Sequence, residues 1–350
     1  DRAEFGQGML DKIEEYRGIF PNAYHAVPAR HRDMPYRVFL RLVQARLQST
    51  YDDDIYPYEK VEQLTADIEL IAESLTFNKG QHAGLFVVKR LLRRIRTFGF
   101  HMVTLDVRQD AEVHRRVVGE CLGDEDWLER PAEERTARIV EAIEQRENPP
   151  MTLSTLARKT IAVFQAIAFC RRKYGRRAIG PFIISMTEGA DDVLSVLLLA
   201  QWGELHNRRG DVPLDVVPLL ETVDDLHAGP DILETLLDTQ LYRDHLERRK
   251  NRQMVMIGYS DSTKDGGLAS SRWAIQNAQE MLVAAMTSQD VELTLFHGRG
   301  GSISRGGSKT HTAVLGAPPG TVNGRLRMTE QGEIINEKYG LRGIALRTLE

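Results

Sequence analysis

The chain has 350 residues, of which 42% are hydrophobic and 27% are charged, and its formal net charge is -4. This composition is typical of a soluble globular protein. A net charge near zero gives no indication of a nucleic-acid or acidic-membrane partner, and no apolar run approaches the ~20 residues that span a bilayer.

The first hundred residues are predicted to be helical. The segments 36–48, 59–76 and 84–99 carry apolar residues at spacings close to the 3.6-residue helical period. Gly99 is a suitable stop for the last of these helices. We therefore predict a mainly helical segment over residues 1–99.

From residue 100 onward, short apolar runs alternate with long helical patterns. The predicted strands are 101–106, 181–186, 214–220, 253–258, 291–296 and 325–329. The predicted helices are 110–120, 133–146, 156–173, 190–204, 230–249 and 266–288. Strands that alternate with helices form parallel sheets. Six such units predict an α/β fold, a partial or complete TIM-like (βα) barrel over residues 100–350 with many additional helices.

Charged side chains follow each predicted strand. The carboxyl ends of parallel barrel strands meet at one rim, which is the face that carries active sites. We therefore expect these side chains to share one site. They are Arg108, Glu188, Glu221, Asp224, Asp225, Asp261, Lys264, Asp265, His297, Arg299, Arg305 and Glu330. The polar residue Gln331 follows Glu330 and is expected at the same site.

A segment rich in glycine and arginine follows the fifth predicted strand. Residues 295–307, LFHGRGGSISRGG, contain five glycines together with Arg299 and Arg305. Glycine lets backbone N–H groups approach an anion, and arginine adds bidentate contacts to phosphate or carboxylate. The alternatives are a flexible linker or an RGG-type nucleic-acid segment. An anion-binding loop is favoured, because a linker seldom begins inside an apolar strand and RGG segments lie in low-complexity tracts.

Two acidic residues at neighbouring strand ends suggest a metal site. Glu221 ends the apolar run of the third predicted strand, and Asp261 follows the fourth. Two carboxylates, with water and substrate oxygens, suit Mg²⁺ or Mn²⁺, and Lys264 can neutralise a substrate anion. Two alternatives stay open. Glu221 can instead pair with an arginine of the rim, and the segment after the fourth strand can cap a helix through Ser262 or Asp265.

Arg108 lies in the sequence TLDVRQD, close to the first predicted strand. An arginine at the rim can clamp a substrate phosphate, or it can pair with Asp106 or Asp110. The sequence leaves both possibilities open. No GxxxxGK[ST] motif is present, so the sequence does not support P-loop nucleotide chemistry.

Several of these segments resemble one family. In chain order they are HMVTLDVRQD, FIISMTEGADDVLSVLLLAQ, PLLETVDDLH, MIGYSDSTKDGG, LFHGRGGSISRGG and MTEQGEIINEKYGL. Together they resemble signatures of phosphoenolpyruvate carboxylase, in the same order, over about residues 85–350. The resemblance implies a helix-rich protein around a (βα) barrel. It also implies a lyase that joins bicarbonate to phosphoenolpyruvate with Mg²⁺ or Mn²⁺, giving oxaloacetate and phosphate by way of carboxyphosphate and the enolate of pyruvate.

The resemblance assigns roles to individual residues. It implies that Glu221 and Asp261 are the metal ligands and that Lys264 contacts bicarbonate or the metal shell. It also implies that Arg108 and Arg299 hold the phosphate and carboxyl groups of the substrates.

The same resemblance assigns supporting roles near the glycine-rich loop. His297 would support phosphoenolpyruvate binding, Gln331 would contact substrate, and Arg305 resembles the loop arginine that also meets the inhibitor aspartate in allosteric members. Ser304 stands where the family has glycine, and residues 308–309 are Ser-Lys where the family has Gly-Pro.

The resemblance also bears on the parent protein. The chain begins at Asp1, and its two cysteines, Cys121 and Cys170, lie outside any CxxC pair. We expect the chain to be a central fragment of a longer enzyme. We expect that enzyme to be cytoplasmic, because no signal peptide is visible and free thiols suit a reducing compartment. The family's essential upstream histidine and C-terminal arginines are outside the chain, so we expect the fragment alone to be inactive. The family is commonly tetrameric, so we expect a homo-oligomeric parent.

Three other functions remain open from the sequence. The chain could be a non-catalytic relative, because the glycine-rich loop departs from the family pattern. It could also be another metal-dependent enzyme that acts on phosphoenolpyruvate or pyruvate. A nucleic-acid-binding role through the loop is the least favoured of the three.

Overall fold

The chain divides into two units, one mainly helical and one built on a parallel sheet. The structure is a computed structural model that describes residues 6–300, 307, 310–330 and 332–349. The helical unit comprises the chain up to Leu105 together with Phe169–Ile179, and the second unit comprises Asp106–Ala168 and the chain from Gly180 onward. Among the described helices, none is both long and apolar enough to cross a bilayer.

The helices and strands are as follows. The α-helices are α1 (Gln7–Ile19), α2 (Pro21–His25), α3 (Pro35–Asp52), α4 (Val61–Phe77), α5 (Leu85–Phe98), α6 (Ala111–Leu122), α7 (Ala132–Glu144), α8 (Thr155–Tyr174), α9 (Ala190–Trp202), α10 (Val223–Asp238), α11 (Gln240–Glu247), α12 (Ser260–Ser288), α13 (Thr310–Leu315), α14 (Gly332–Tyr339) and α15 (Arg342–Leu349). Short 3₁₀ turns cover Ala29–His31, Gly80–His82 and Arg176–Ala178. The strands are β1 (Leu105–Asp110), β2 (Ile179–Ser185), β3 (Val216–Leu220), β4 (Arg252–Gly258), β5 (Glu292–Gly298) and β6 (Arg327–Met328).

A buried polar cluster lies inside the helical unit. Arg46 and Asp67 are 6% and 2% exposed. The hydroxyls of Tyr16 and Tyr58 donate to Asp67 Oδ2 at 2.7 and 2.5 Å, and Arg46 Nη1 donates to the Tyr16 hydroxyl at 2.5 Å. Burial and the Asp67 carboxylate raise the pKa of both tyrosines, so they remain donors. The cluster ties α1, α3 and α4 together because each buried polar group needs a partner.

The second unit is built on six parallel strands in the order β1-β2-β3-β4-β5-β6. The central strands are nearly continuous apolar runs, as parallel strands covered on both faces usually are. Every residue of β3 is buried. Leu220 pairs in register with Ile257 of β4, which in turn pairs with His297 of β5. The carboxyl ends of β3, β4 and β5 therefore lie side by side.

The sheet curls into a half-barrel. Asp106 on β1 accepts two hydrogen bonds from Arg327 on β6, at 2.7 and 2.6 Å, although β1 and β6 are the first and last strands in the sheet order. The concave face holds an apolar cluster that includes Met256 and Phe296, and the Arg327 guanidinium lies 4.7 Å from the Phe296 ring centroid. The mixed α/β, helix-rich class predicted from the sequence is confirmed.

The first strand was predicted in the wrong place. It begins at Leu105 rather than at residue 101. Met102 has a backbone φ of 63°, which is incompatible with an extended strand. Arg108 therefore lies within β1 rather than after a strand.

Two helices also differ from their predicted bounds. The predicted helix 230–249 is divided into α10 and α11, and α10 begins at Val223 because Thr222 and Asp225 form a capping box. Helix α12 begins at Ser260, earlier than predicted, and is interrupted at Gly267, where φ is 76° and ψ is 168°. Only glycine adopts such a conformation without strain.

A buried ion pair joins α6 to α9. Asp192 is 0% exposed, and both of its carboxylate oxygens accept from Arg115, at 2.7 and 2.8 Å. Its Oδ2 also accepts from the backbone N–H of Glu188, at 2.9 Å. Asp192 therefore fixes both a helix contact and the loop that follows β2.

We expect Asp192→Ala to lower the free energy of unfolding by about 3–5 kcal/mol, because Arg115, whose side chain is 13% exposed, would lose its bidentate partner and keep only the exposed Glu188. Urea denaturation followed by circular dichroism measures this change. The matched control is Glu112→Ala, which removes the exposed pair with Arg116 and should cost about 0.5 kcal/mol or less. Equal losses in both variants would contradict the assignment.

Candidate metal and anion site

Glu221 is a nearly buried carboxylate at the end of β3. It is 7% exposed. Its Oε1 accepts from Arg108 Nη2 on β1 at 2.9 Å, and its Oε2 accepts from the backbone N–H of Met186 at 3.1 Å. A carboxylate in such a position needs a cation or hydrogen-bond donors, and here both oxygens have one.

Local structure holds Glu221 in position from two sides. Its backbone N–H donates to Asp225 Oδ2 at 3.0 Å, so the helix-capping group of α10 also fixes the end of β3. On the β4 side, Gly258 leaves room for close approach. A Cβ atom there would lie 3.1 Å from Glu221 Cα, so a larger residue would displace the carboxylate.

Asp261 and Lys264 lie in the first turn of α12, directly after β4. Lys264 Nζ donates to Asp261 Oδ1 at 2.7 Å, and both side chains are largely in solvent. The same turn is tied to α10, because the backbone N–H of Val223 donates to Asp265 Oδ2 at 3.2 Å. The segments that carry Glu221 and Asp261 are therefore neighbours at one end of the sheet.

The donor set at this end of the sheet suits a hard divalent ion. Two carboxylates with room for water and substrate oxygens are how proteins commonly hold Mg²⁺. In the part of the chain that the structure describes, no group of three or more His, Cys, Asp or Glu side chains gathers as a metal cluster. The site would therefore depend on two protein carboxylates and on exogenous oxygens.

His297 and Arg299 lie at the end of β5 and face a cavity. His297 is 6% exposed, and its Nδ1 is hydrogen-bonded to the Tyr259 hydroxyl at 2.9 Å. Burial, with a contribution from Arg299, lowers the pKa of His297 to about 4, so the imidazole is neutral at physiological pH. The Arg299 guanidinium lies 5.7 Å from the centroid of the Tyr259 ring. These three residues line a cavity of about 300 Å³.

The predicted site residues fall into two groups on opposite faces of the sheet. Successive side chains of a strand alternate between faces. Phe296 packs in the concave cluster together with Leu219, so His297 faces the opposite, helix-covered side. Glu221, two residues after Leu219, lies on the concave side with Arg108. The structure thus brings Arg108 to Glu221 and His297 to Arg299, and no described contact joins the two groups.

The structure decides between several alternatives that the sequence left open. Arg108 pairs with Glu221 rather than with Asp106 or Asp110. Asp106 binds Arg327 instead, and Asp110 caps α6 by accepting from the backbone N–H of Glu112.

The helix caps that the sequence left open after β4 are not observed. The N-cap residue of α12 is Tyr259, which makes no side-chain capping bond. The Ser262 hydroxyl instead bonds to Ser271 at 2.7 Å in the interior, and Asp265 accepts from α10 as described above.

Some predicted residues lie outside the described part of the chain. They are Arg305 and Ser304 of the glycine-rich loop, the Ser-Lys pair at 308–309, and Gln331.

Of the residues that line the cavity, sequence reasoning singled out only His297 and Arg299, and it missed Tyr259 and Arg272 among others. Tyr259 lies inside a segment that was singled out, but nothing in its pattern distinguished it from a core aromatic. Arg272 lies within the predicted helix 266–288. The kink at Gly267 changes which residues of that helix share a face, so the helical period read from the sequence did not show the face on which Arg272 lies.

Comparison with known proteins identifies the family of the chain. The family model described as phosphoenolpyruvate carboxylase matches residues 2–350. Three relatives bear the same name. The protein from Xanthomonas oryzae pv. oryzae is 49% identical over 342 residues, covering 98% of this chain and 38% of the relative. That from Mycobacterium leprae is 40% identical over 343 residues, covering 91% and 36%. That from Parasynechococcus marenigrum is 35% identical over 384 residues, covering 98% and 37%.

The chain thus spans less than two-fifths of the length of the relatives it matches, since the coverage of each is 38% or lower. The match itself runs over nearly all of the chain, and it includes the β3 and β4 ends that carry Glu221 and Asp261. The chain therefore belongs to the phosphoenolpyruvate carboxylase family.

Proposed function

We propose that this chain supplies the metal site and part of the anion site of a phosphoenolpyruvate carboxylase. The full-length enzyme would join bicarbonate to phosphoenolpyruvate and release oxaloacetate and phosphate. The observation that carries the proposal is the buried Glu221 carboxylate, which is held by Arg108 at the carboxyl end of adjacent parallel strands. Family membership and the names of the relatives support the same reaction.

The half-barrel is proposed to be six strands of a TIM-like barrel. Its support is the ion pair between Asp106 and Arg327, which draws the first and last strands toward each other. In this proposal residues 100–350 form the site-bearing part of the protein and residues 1–99 form a helical segment. The active end would be the carboxyl end of the strands, as in other parallel barrels.

Glu221 and Asp261 would hold a Mg²⁺ or Mn²⁺ ion. When bound, the ion would supply positive charge that screens the anionic substrates from one another. The pair between Arg108 and Glu221 gives the site a second property. Arg108 and Glu221 neutralise each other, so a cation at Glu221 would free Arg108 to bind a substrate phosphate or carboxylate.

The reaction requires close control of charge. A bicarbonate oxygen attacks phosphorus and the bond from phosphorus to the enol oxygen breaks, which gives carboxyphosphate and the pyruvate enolate. Carboxyphosphate then releases CO₂ and phosphate, and the enolate carbon bonds to CO₂ to form oxaloacetate. Arg108 and Lys264 would stabilise the anions through fixed positive charge, and Lys264 would contact bicarbonate or the metal shell.

The remaining substrate roles follow from family resemblance. His297 and Arg299 would contribute to phosphoenolpyruvate binding from the end of β5. Arg305 and Gln331 keep their proposed roles in anion binding and substrate contact. The chain by itself is proposed to be inactive, and its parent is proposed to be a cytoplasmic homo-oligomer, commonly a tetramer in this family.

We expect a full-length protein carrying this chain to incorporate ¹⁴C from bicarbonate into oxaloacetate, in a reaction that requires phosphoenolpyruvate and is abolished by EDTA. Trapping the product as malate with malate dehydrogenase and NADH measures this incorporation. Consumption of phosphoenolpyruvate without incorporation of label would indicate a different reaction.

We expect Glu221→Gln and Asp261→Asn each to weaken Mn²⁺ binding by at least about tenfold. Even the loss of a residue that only hydrogen-bonds to a metal ligand commonly weakens metal binding by about that factor. Electron paramagnetic resonance of free Mn²⁺ measures the affinity. Glu188→Gln is the matched control, since Glu188 is a carboxylate after β2 that pairs with Arg115. Unchanged affinity in both site variants would remove these residues from the metal site.

We expect Arg108→Gln to strengthen Mn²⁺ binding in the absence of substrate by about two- to tenfold, because Arg108 then no longer competes with the metal for Glu221. The half-exposed ion pair between Arg108 and Glu221 contributes ~0.5–1.4 kcal/mol. The same titration measures the effect. Arg327→Gln is the control, because Arg327 occupies the same face of the sheet but binds Asp106. Weaker metal binding in Arg108→Gln would show that Arg108 only orients the carboxylate.

A further inference from the structure

Helix α12 consists of two helical segments joined at a break. Gly267 has a φ of 76° and a ψ of 168° inside the helix, a conformation that only glycine adopts without strain. The short segment before the break, residues 260–266, begins directly after β4. The long segment after it, residues 268–288, has a buried face that includes Ala278 and Leu282. The long segment is thus anchored in the interior, and the short one is attached to it through the break.

A buried hydroxyl contact crosses this break. Ser262 and Ser271 are 0% and 1% exposed, and their Oγ atoms lie 2.7 Å apart. The two serines are nine positions apart in the chain. In an uninterrupted α-helix, residues at that spacing would be separated by about 13 Å along the axis and would face opposite sides. The contact therefore exists only because the break at Gly267 redirects the short segment so that it meets the long one.

The geometry gives these hydrogen bonds a direction. Among the described contacts, the Ser271 hydroxyl meets only other hydroxyls, those of Ser262 at 2.7 Å and Thr263 at 3.3 Å. The Ser262 hydroxyl can itself donate to the backbone carbonyls of Gly258 and Tyr259, each at 3.3 Å. A buried donor needs an acceptor, so Ser271 donates to Ser262, the nearer of its two partners. Ser262 in turn donates to the end of β4, and the bonds connect the long segment to that strand end.

We propose that Ser271 is a positioning residue for the metal site, because its hydroxyl holds the short segment that carries Asp261 and Lys264. This role rests on the proposed function, in which Asp261 is a metal ligand and Lys264 contacts bicarbonate or the metal shell. Ser262 and Thr263, which meet Ser271, lie between Asp261 and Lys264 in the chain. Ser271 is buried, so it would act through these two neighbours rather than on a ligand.

The side chains of Asp261 and Lys264 do not by themselves fix the short segment. They are 49% and 74% exposed, and they form an ion pair with each other, which is a weak interaction at such exposure. Asp265 supplies a connection to α10, since its Oδ2 accepts from the backbone N–H of Val223 at 3.2 Å. Side chains that bind a metal ion must be held within a fraction of an ångström, so the site depends on how the short segment is held.

The first test is metal binding by a full-length protein that carries this chain. Ser271→Ala removes the donor but leaves Ser262 its carbonyl partners, so no buried donor loses its acceptor. We expect Mn²⁺ binding to weaken about two- to tenfold, as for the loss of one hydrogen bond. Electron paramagnetic resonance of free Mn²⁺ measures the affinity.

Ser195→Ala is the matched control for this measurement. Ser195 lies in α9 and is also 1% exposed, and its hydroxyl has no hydrogen-bond partner among the described atoms. Its removal is therefore the loss of a buried serine hydroxyl that holds no segment in place. This variant should bind Mn²⁺ as the unsubstituted protein does, and an equal loss of affinity in both variants would contradict the proposal.

The second test reports on the short segment without the metal. Amide hydrogen exchange of the same proteins is measured by mass spectrometry in EDTA. Peptides that cover residues 259–266 should exchange about two- to tenfold faster in Ser271→Ala, whereas peptides from α9 and β5 should be unchanged. A general loss of stability would instead raise exchange in all of these peptides, and that result would count against a positioning role.

Ser262→Ala breaks the same contact from the other side, and it replaces Ser271→Ala if that variant does not fold. A protein with both substitutions should bind Mn²⁺ no more weakly than the weaker of the two single variants, because both remove one contact. Additive losses of affinity would show that the two serines act separately. Either that result or the failure of both single variants to fold would overturn the proposal.

The outcomes also separate this role from the proposed function. Unchanged Mn²⁺ affinity or unchanged exchange in Ser271→Ala, while Asp261→Asn still weakens Mn²⁺ binding, would overturn the positioning role and leave the metal site intact. Unchanged affinity in both Asp261→Asn and Ser271→Ala would instead contradict the proposed metal site, even where the exchange result shows that Ser271 holds the short segment.

Discussion

The constraint on which the site depends is the cost of burying the Glu221 carboxylate. An unpaired charge at that depth would be too unfavourable to persist, so the fold has to provide a cation. The Arg108 guanidinium on β1 lies 2.9 Å from the Glu221 carboxylate, and a backbone N–H of the loop after β2 donates to the same carboxylate. The order of the strands, the capping of α10 and the glycine at 258 all help to hold Glu221 in place. A divalent ion would meet the same electrostatic need, which is why an ion pair and a metal site can share these residues.

The two faces of the parallel sheet separate two kinds of chemistry. On the concave face, acids and arginines alternate and neutralise each other, as Asp106 does with Arg327 and Glu221 with Arg108. On the helix-covered side, Arg272 and Arg299 approach Tyr259 beside the neutral His297. The charges of the concave face are therefore paired with each other, whereas a neutral imidazole lies between the helices and β5. Strand alternation fixes this separation, because neighbouring residues such as Phe296 and His297 cannot face the same way.

Hydrogen bonds connect the segments that carry Glu221 and Asp261 to their neighbours. The Asp192 carboxylate accepts from Arg115 and from the backbone of the loop after β2, and that loop carries Met186, which donates to Glu221. The first turn of α12 is attached to α10 through Asp265. Side chains that bind small ions must be held within a fraction of an ångström, and these connections restrict the loops that would otherwise move most. The positions of Glu221 and Asp261 thus rest on hydrogen bonds made by residues that bind no ligand.

The sequence by itself determined the alternation of strands and helices and the parallel sheet, because these depend on local periodicity and turn residues. It predicted Glu221 and Asp261 as metal ligands from their place after apolar runs, and it placed the first strand too early, where Met102 turns the backbone. It could not decide which partner Arg108 takes, since Asp106 and Asp110 are near in sequence but Glu221 is near only in space. Nor could it show that Arg272 joins Arg299, because a helix kinked at Gly267 sets that meeting. Only the tertiary structure decides such pairings, since they depend on distances between elements that local sequence does not encode.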